Sequence, residues 1–97
     1  MSITVNILYS GEGDSARNFA KEMLESGLVE KIRAQEGNER YDYFFPLEDT
    51  TSVLLIDRWR NEEAIDIHHQ SEMMEEIARL RKKYKLRLKV EKFQEIK

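Results

Sequence analysis

Hydrophobic and polar residues alternate over residues 3–10 and 86–91, and a period of two predicts a β-strand in each. Residues 40–45 are rich in aromatic residues and residues 53–59 hold the most apolar run of the chain, and both stretches are also predicted to be strands. Pro46 ends the strand over residues 40–45, because proline cannot donate a hydrogen bond to a neighbouring strand.

Between the first two strands the hydrophobic residues follow a helical spacing instead. A stripe from Ala16 to Ile32 predicts a helix of about five turns that ends near Gly37, with Ser26-Gly27 as a candidate kink or break.

Two further helices are predicted between the last two strands. Asn61, followed by two glutamates, is typical of a helix start, and this short helix ends at His68 or His69. Ser71 is predicted to cap the next helix, which runs to about residue 84.

The resulting order is β-α-β-β-α-β, the ferredoxin-like α+β arrangement with an antiparallel sheet and all helices on one face. The other face of such a sheet is polar in a monomer. Here the third strand is apolar on both sides, with Leu55 and Trp59 on one and Leu54 and Ile56 on the other. A second copy of the same face is the simplest cover, so we predict a homodimer.

The composition indicates one folded domain over residues 1–97, since 40% of the residues are hydrophobic and the chain has one proline. The absence of cysteine excludes disulfides and thiolate metal sites. No apolar run is long enough for a membrane span, and the first residues are not typical of a secretory signal. A cytoplasmic location and no membrane partner are therefore expected.

Charge is unevenly distributed along the chain. Residues 1–78 hold 7 basic and 17 acidic side chains, whereas residues 79–97 hold 9 basic and 2 acidic ones. A basic segment raises the question of nucleic acid, but the aromatic strand motif of RNA-binding modules is missing. We expect no nucleic-acid partner and interpret the basic residues as a solvated helix end and edge strand.

Two segments carry a resemblance to a known family: EGNERYDY at 36–43 and IDRWRNEEAIDIH at 56–68. Their glycine-then-tyrosine strand entry, acid-x-tryptophan strand end, acidic helix start and histidine resemble the antibiotic biosynthesis monooxygenase family. The resemblance implies a dimeric α+β barrel of two ferredoxin-like halves. Many members of that family are cofactor-free monooxygenases of quinols or polyphenolic compounds, and close relatives include an autoinducer-phosphate isomerase and haem-degrading enzymes.

The chain departs from the family pattern at two positions. Asp57 stands where the family usually has glutamate, and Met73 stands where relatives often carry a second histidine. No histidine follows His69, which argues against the haem ligation of some relatives. The expectation is therefore a protein without a bound cofactor or metal.

The candidate catalytic residues are His68, Trp59 and Asn6. His68 lies on the apolar side of its helix and is either a general base or a locally packed residue, whereas the neighbouring His69 is expected in solvent. Trp59 offers a flat apolar surface and one N–H donor, or is plain core. Asn6 resembles an asparagine that relatives use to hold substrate or oxygen, or lies at a wet edge.

The candidate substrate-binding residues are Tyr41, Tyr43 and Met73. The two tyrosines suit either a pocket wall or the dimer seam, of which the seam is favoured.

The function expected from residues and resemblance together is a cofactor-independent monooxygenase of a small quinol or polyphenol. His68 would take a proton, while Asn6 and the Trp59 N–H would hold the developing oxyanion. Two alternatives stay open: isomerisation of a small hydroxy-ketone, and a dimeric small-molecule-binding domain without catalysis.

Overall fold

The computed structural model describes residues 1–96, and Lys97, the last residue of the predicted domain, lies outside the described range. Its elements in chain order are β1 (Ile3–Ser10), α1 (Ser15–Glu25), α2 (Leu28–Arg33), β2 (Asn38–Phe44), β3 (Ser52–Trp59), α3 (Glu62–His69), α4 (Glu72–Lys83) and β4 (Arg87–Gln94).

The four strands form one sheet in the order β2-β3-β1-β4, and every neighbouring pair is antiparallel. This is the predicted ferredoxin-like α+β arrangement. β1 lies in the middle of the sheet between β3 and β4, while β4 is an edge strand, as the basic residues near the C-terminus suggested.

The predicted first helix is two helices, because the chain breaks at Gly27. This glycine has φ of +82°, a left-handed conformation that glycine adopts without steric cost. The break turns α2 so that Leu28, Val29 and Ile32 are all buried.

Both predicted capping residues stand at helix starts, but only one makes the side-chain bond. The Asn61 side-chain oxygen accepts a hydrogen bond from the Ala64 N–H at 2.9 Å, as expected at the start of α3. Ser71 precedes α4 as predicted, but its hydroxyl makes no capping bond and donates backwards to the His68 carbonyl oxygen at 2.6 Å. The Ser71 N–H donates to the same oxygen at 3.0 Å, and the two bonds fix the end of α3 at His68.

The helices cover one face of the sheet and enclose the core. The residues with the largest fully buried side chains are Trp59, Phe19, Met23, Leu28, Ile32, Leu55, Val29 and Val53. α3 approaches the start of β2 so closely that a Cβ on Gly37 would lie 2.6 Å from the Ala64 Cβ. Glycine at position 37 therefore lets α3 pack against the sheet next to Trp59.

The opposite face, called the open face below, has no helix over it. Its centre is hydrophobic and partly exposed, and its apolar members are Leu8, Phe44, Leu54, Ile56 and Phe93. Phe44 and Phe93 are 40% and 50% exposed, far more than the core aromatics. Within residues 1–96, no helix has the length and apolarity needed to cross a membrane.

Candidate functional site

A cavity of about 280 Å³ lies between the helix-covered face of the sheet and the helices α3 and α4. Its lining is mainly apolar and aromatic, which is typical of small-molecule sites. The sheet residues of the lining are Val5, Ile7, Tyr9, Tyr41, Leu55, Asp57, Trp59, Leu88, Val90 and Lys92. The helix residues are Ile65, His68, His69, Met74, Ile77 and Arg81.

His68 and Trp59 form a stacked pair in the wall of this cavity. The centroids of the two rings are 4.7 Å apart and their planes are inclined by 27°. His68 is only 4% exposed and Trp59 only 1%. The packing holds the imidazole in one orientation, which is the requirement for a directed acid or base.

The imidazole is also fixed by a hydrogen bond from outside its own helix. Its Nδ1 atom lies 2.7 Å from the side-chain oxygen of Gln35, in the loop after α2. Because a carboxamide oxygen only accepts, Nδ1 carries the proton and Nε2 keeps its lone pair. Burial, followed by the charge of His69, lowers the pKa of His68 to about 4. The ring is therefore neutral at pH 7 and can accept a proton at Nε2.

Asp57 is the second buried ionisable group of the cavity. The Trp59 indole N–H donates to Asp57 Oδ2 at 3.1 Å, whereas Oδ1 has no hydrogen-bond partner among residues 1–96. Burial raises the pKa of Asp57 to about 6, although the indole N–H acts in the opposite direction. The carboxyl is mostly ionised at pH 7 and becomes neutral in mild acid.

Two tyrosines of the cavity remain protonated over the ordinary pH range. Burial, with a further contribution from neighbouring groups such as Asp57, raises the pKa values of Tyr9 and Tyr41 well above 10. They can donate hydrogen bonds but do not act as bases near neutrality.

The cavity is least covered along β4. Leu88 and Val90 line it yet remain 38% and 52% exposed. On this side Lys92 pairs with Glu62, whereas the Arg81 guanidinium has no ion-pair partner among the described residues. The entrance consequently has a positive character.

Three of the residues singled out from the sequence meet at the cavity: His68, Trp59 and Tyr41. His69 is exposed, as expected, and also lines the cavity. The favoured position of the two tyrosines at a dimer seam is wrong, because both face the helices. Tyr41 contributes to the cavity wall, and Tyr43 packs edge-on against Phe19 in the core.

Asn6 does not reach the cavity. Val5 and Ile7 line it, so the residue between them points to the open face, where Asn6 lies between Ile56 and Glu91. It is also not at an edge, since β1 is central. Within one protomer, the expected sharing of an oxyanion between Asn6 and Trp59 is therefore wrong, and the Trp59 N–H is already donated to Asp57.

Met73 packs against the core beside the cavity, and its neighbour Met74 lines the wall in its place. The side chain of Met73 would have to move to contact an occupant.

Two residues of the candidate site, Asp57 and Gln35, were not identified from the sequence. In the sequence Asp57 was considered only as a departure from the family pattern. Its position on the same face of the strand as Leu55 and Trp59 is the signal that indicates a buried carboxylate. Gln35 gave no such signal, because its bond to His68 joins residues 33 positions apart.

The described residues contain no group of three or more His, Cys, Asp or Glu side chains arranged to hold a metal ion. The groups available to a bound molecule are thus the acceptors of His68 and Asp57, the donors of the tyrosines, and the charge of Arg81.

Comparison with known proteins places these features in a family. A sequence model described as antibiotic biosynthesis monooxygenase matches residues 2–80. A Bacillus subtilis (strain 168) protein named "Putative monooxygenase YcnE" is 32% identical over 44 residues, which are 45% of this chain and 46% of that protein. The alignment therefore spans less than half of that relative.

Solved structures agree in fold. SnoaB of Streptomyces nogalater, a cofactor-independent oxygenase, superposes with a TM-score of 0.81 at 12% identity, over 99% of this chain and 94% of that chain. A conserved protein of Methanosarcina mazei Go1 superposes with a TM-score of 0.84 at 20% identity, again over 99% and 94%. At these identities the likeness concerns the fold, whereas the family model covers most of the sequence itself. The chain belongs to the antibiotic biosynthesis monooxygenase family.

Proposed function

We propose that this protein is a cofactor-independent monooxygenase that oxidises a small quinol with dioxygen. The observation that carries the proposal is the apolar cavity in which a neutral, oriented imidazole is stacked on Trp59. Family membership and the SnoaB name support the reaction class.

The size of the cavity favours a compound of one or two rings. A cavity of about 150 Å³ accommodates benzene, and the cavity here has about 280 Å³. A compound with three or four fused rings would extend out of this space along β4, where Leu88 and Val90 are exposed. This favours a small quinol over a large polyphenol.

The proposed reaction balances without an added reductant. The quinol and dioxygen give a hydroxyquinone and water: one ring C–H becomes C–OH, the two original hydroxyl groups become carbonyls and lose their hydrogens, and the second atom of dioxygen leaves as water. The substrate supplies all the electrons, starting from its anion, because an anion reduces dioxygen more easily than its neutral acid. Nε2 of His68 takes the hydroxyl proton, and the apolar wall limits the contact of bulk water with the radical intermediates.

The functional unit in this proposal is a homodimer in which two open faces pack together. Burying a leucine or phenylalanine side chain contributes about 1.5–3 kcal/mol, and five such side chains are left uncovered on the open face. The side-chain oxygen of Asn6, buried there without a partner, is an acceptor for a donor on the second copy. The cavity lies on the other side of the sheet and stays open to substrate.

The test is oxygen consumption with one- and two-ring quinols, comparing the wild type with His68→Gln and Asp66→Asn. Glutamine at 68 keeps a polar side chain but cannot take up a proton, so we expect a loss of at least a hundredfold in kcat/KM. Asp66→Asn, at an exposed position of the same helix outside the cavity lining, is the control and keeps most of the activity. Equal rates in wild type and His68→Gln would contradict the proposed role.

A second candidate is a small-molecule-binding domain without catalysis. It is favoured by the absence of the two expected oxyanion donors from the cavity, since Asn6 faces away and the Trp59 N–H is bound to Asp57. Tight binding of a quinol without oxygen consumption by any preparation would select it.

A further inference from the structure

One oxygen of the buried Asp57 carboxylate has no hydrogen-bond partner among the described residues. Asp57 is 5% exposed and belongs to the cavity wall, and its Oδ2 is bound by the Trp59 indole. Its Oδ1 is buried and has no partner among residues 1–96. A buried carboxylate oxygen without a donor costs free energy, and such orphans are rare in native proteins.

We propose that Oδ1 of Asp57 accepts a hydrogen bond from a hydroxyl group of the bound molecule, so that the cavity selects a free aromatic hydroxyl over its methyl ether. This deepens the proposed function, because it names the protein group that a hydroxyl of the quinol meets. It requires binding only, so it can be tested without turnover.

The surroundings of the carboxyl favour a neutral hydroxyl over a cationic amine. The titratable and charged groups that line the same cavity are Tyr9 from β1, Tyr41 from β2, His68 and His69 from α3, Arg81 from α4 and Lys92 from β4. Arg81, which has no ion-pair partner among the described residues, repels a cation on its way in, whereas a hydroxyl brings a donor without a charge. The apolar remainder of the wall suits the aromatic ring that carries this hydroxyl.

The same wall also offers the neutral Nε2 of His68 as an acceptor. Asp57 and His68 both contact the indole of Trp59, one through the N–H and one through the ring face. A quinol has two hydroxyl groups on one ring system. It can therefore donate to both acceptors, Oδ1 of Asp57 and Nε2 of His68. A monohydroxyl compound can satisfy only one of them.

The Asp57→Asn variant separates this role from a structural one. The Trp59 N–H requires an acceptor, so the asparagine side chain is expected to turn its oxygen to the indole and its NH₂ group to the position of Oδ1. The shape of the wall is kept, but the atom offered to the bound molecule changes from acceptor to donor.

The experiment measures binding of naphthohydroquinone and of its dimethyl ether by calorimetry under argon. We expect the wild type to bind the hydroquinone about tenfold to hundredfold more tightly than the ether, the range for a hydrogen bond to a charged group. In Asp57→Asn this preference is expected to fall at least tenfold, with the thermal transition of the variant checked first. Asp66→Asn, which removes an exposed carboxylate of α3, is the matched control and keeps the preference.

Equal affinity of the wild type for both compounds would overturn the inference, as would an unchanged preference in Asp57→Asn; Oδ1 then serves a bound water at most. Failure of both compounds to bind at millimolar concentration would overturn it as well. The wild-type comparison decides the matter even if the variant does not fold. A hydroxyl preference that depends on Asp57, without any oxygen consumption, would support this inference while refuting the oxygenase.

Discussion

The two faces of the sheet are built from the same strands, yet they treat polar side chains in opposite ways. On the helix-covered face, Asp57 and His68 are buried, held by one or two specific bonds, and shifted in pKa. On the open face, charged residues such as Arg40, Arg58 and Asp42 pair with their neighbours at the surface. Exposed ion pairs contribute little to stability, whereas buried polar groups depend strongly on their partners.

The difference teaches that one strand can serve two unrelated purposes. Val5 lines the cavity while Asn6, the next residue, lies on the open face. A shift of a single position moves a side chain from the site to the prospective dimer interface. Residues must therefore be assigned to a face before they are assigned a role.

The largest contrast is expected between truncations of one aromatic on each face. Trp59→Ala removes a fully buried ring and leaves Asp57 without its donor, so we expect a loss of about 3–5 kcal/mol in the free energy of unfolding. Phe44→Ala removes a ring that is already 40% exposed and should cost less than about 1 kcal/mol within the protomer. Urea unfolding of both variants at a protein concentration low enough for the protomers to be monomeric measures the difference, and similar losses would break the comparison.

The pH dependence of the free energy of unfolding contains two opposed contributions, both from buried groups on the helix-covered face. The folded-state pKa of His68 is lowered from 6.5 to about 4, so His68 makes the protein more stable as pH rises through that window. The folded-state pKa of Asp57 is raised from 3.8 to about 6, so Asp57 makes it less stable over nearly the same window. In the wild type the two slopes largely cancel.

Replacing one of these two groups should therefore make the pH dependence that is due to the other group measurable. Between pH 4 and 6, Asp57→Asn is expected to gain stability with pH more steeply than the wild type, and His68→Gln less steeply, each by up to about 3 kcal/mol. Urea unfolding at several pH values provides the measurement. Parallel pH profiles for all three proteins would mean that the two groups do not titrate as described.

On the open face, the expected effect is on assembly. Leu54→Lys puts a charge among the apolar side chains of both copies, so we expect the dimer dissociation constant to rise at least about a hundredfold. Leu24→Lys on α1, at a residue that is 49% exposed, is the control. Sedimentation equilibrium at micromolar concentration is the measurement, and a wild type that is monomeric there would refute the dimer.

The smallest expected effect concerns the orientation of the imidazole. Gln35→Leu leaves Nδ1 of His68 without its acceptor, which should cost about 1–3 kcal/mol of stability. Because Nδ1 no longer has to carry the proton, the tautomer becomes mixed and kcat should fall more than KM changes. Nitrogen chemical shifts of the ring follow the tautomer directly, and an unchanged spectrum would show that Gln35 does not fix it.

The sequence predicted the parts of this picture that depend on local pattern. Strand parity placed Leu55 and Trp59 on one face and Leu54 and Ile56 on the other, and the cap at Asn61 formed as expected. The predictions failed where a hydrogen-bond partner outside the local pattern, or an analogy with relatives, determined the position of a side chain. Ser71 precedes α4 as predicted, but its hydroxyl binds the carbonyl of His68 instead of an N–H group of α4.

Asn6 is the instructive failure. Its alternation with Val5 and Ile7 already assigned it to the open face, but its resemblance to an asparagine of relatives suggested the cavity. The missed bond between Gln35 and His68 is of another kind, because it forms only when the loop after α2 folds back towards α3. No local pattern contains that information.

Trp59 is the sole tryptophan of the protein, and it lies between the two ionisable groups of the cavity. All indole fluorescence therefore comes from the site, without background from elsewhere in the protein. Emission should respond to the charge on the neighbouring imidazole and to the entry of any aromatic guest. The molecule thus carries its own optical reporter, and screening compounds against it needs no label.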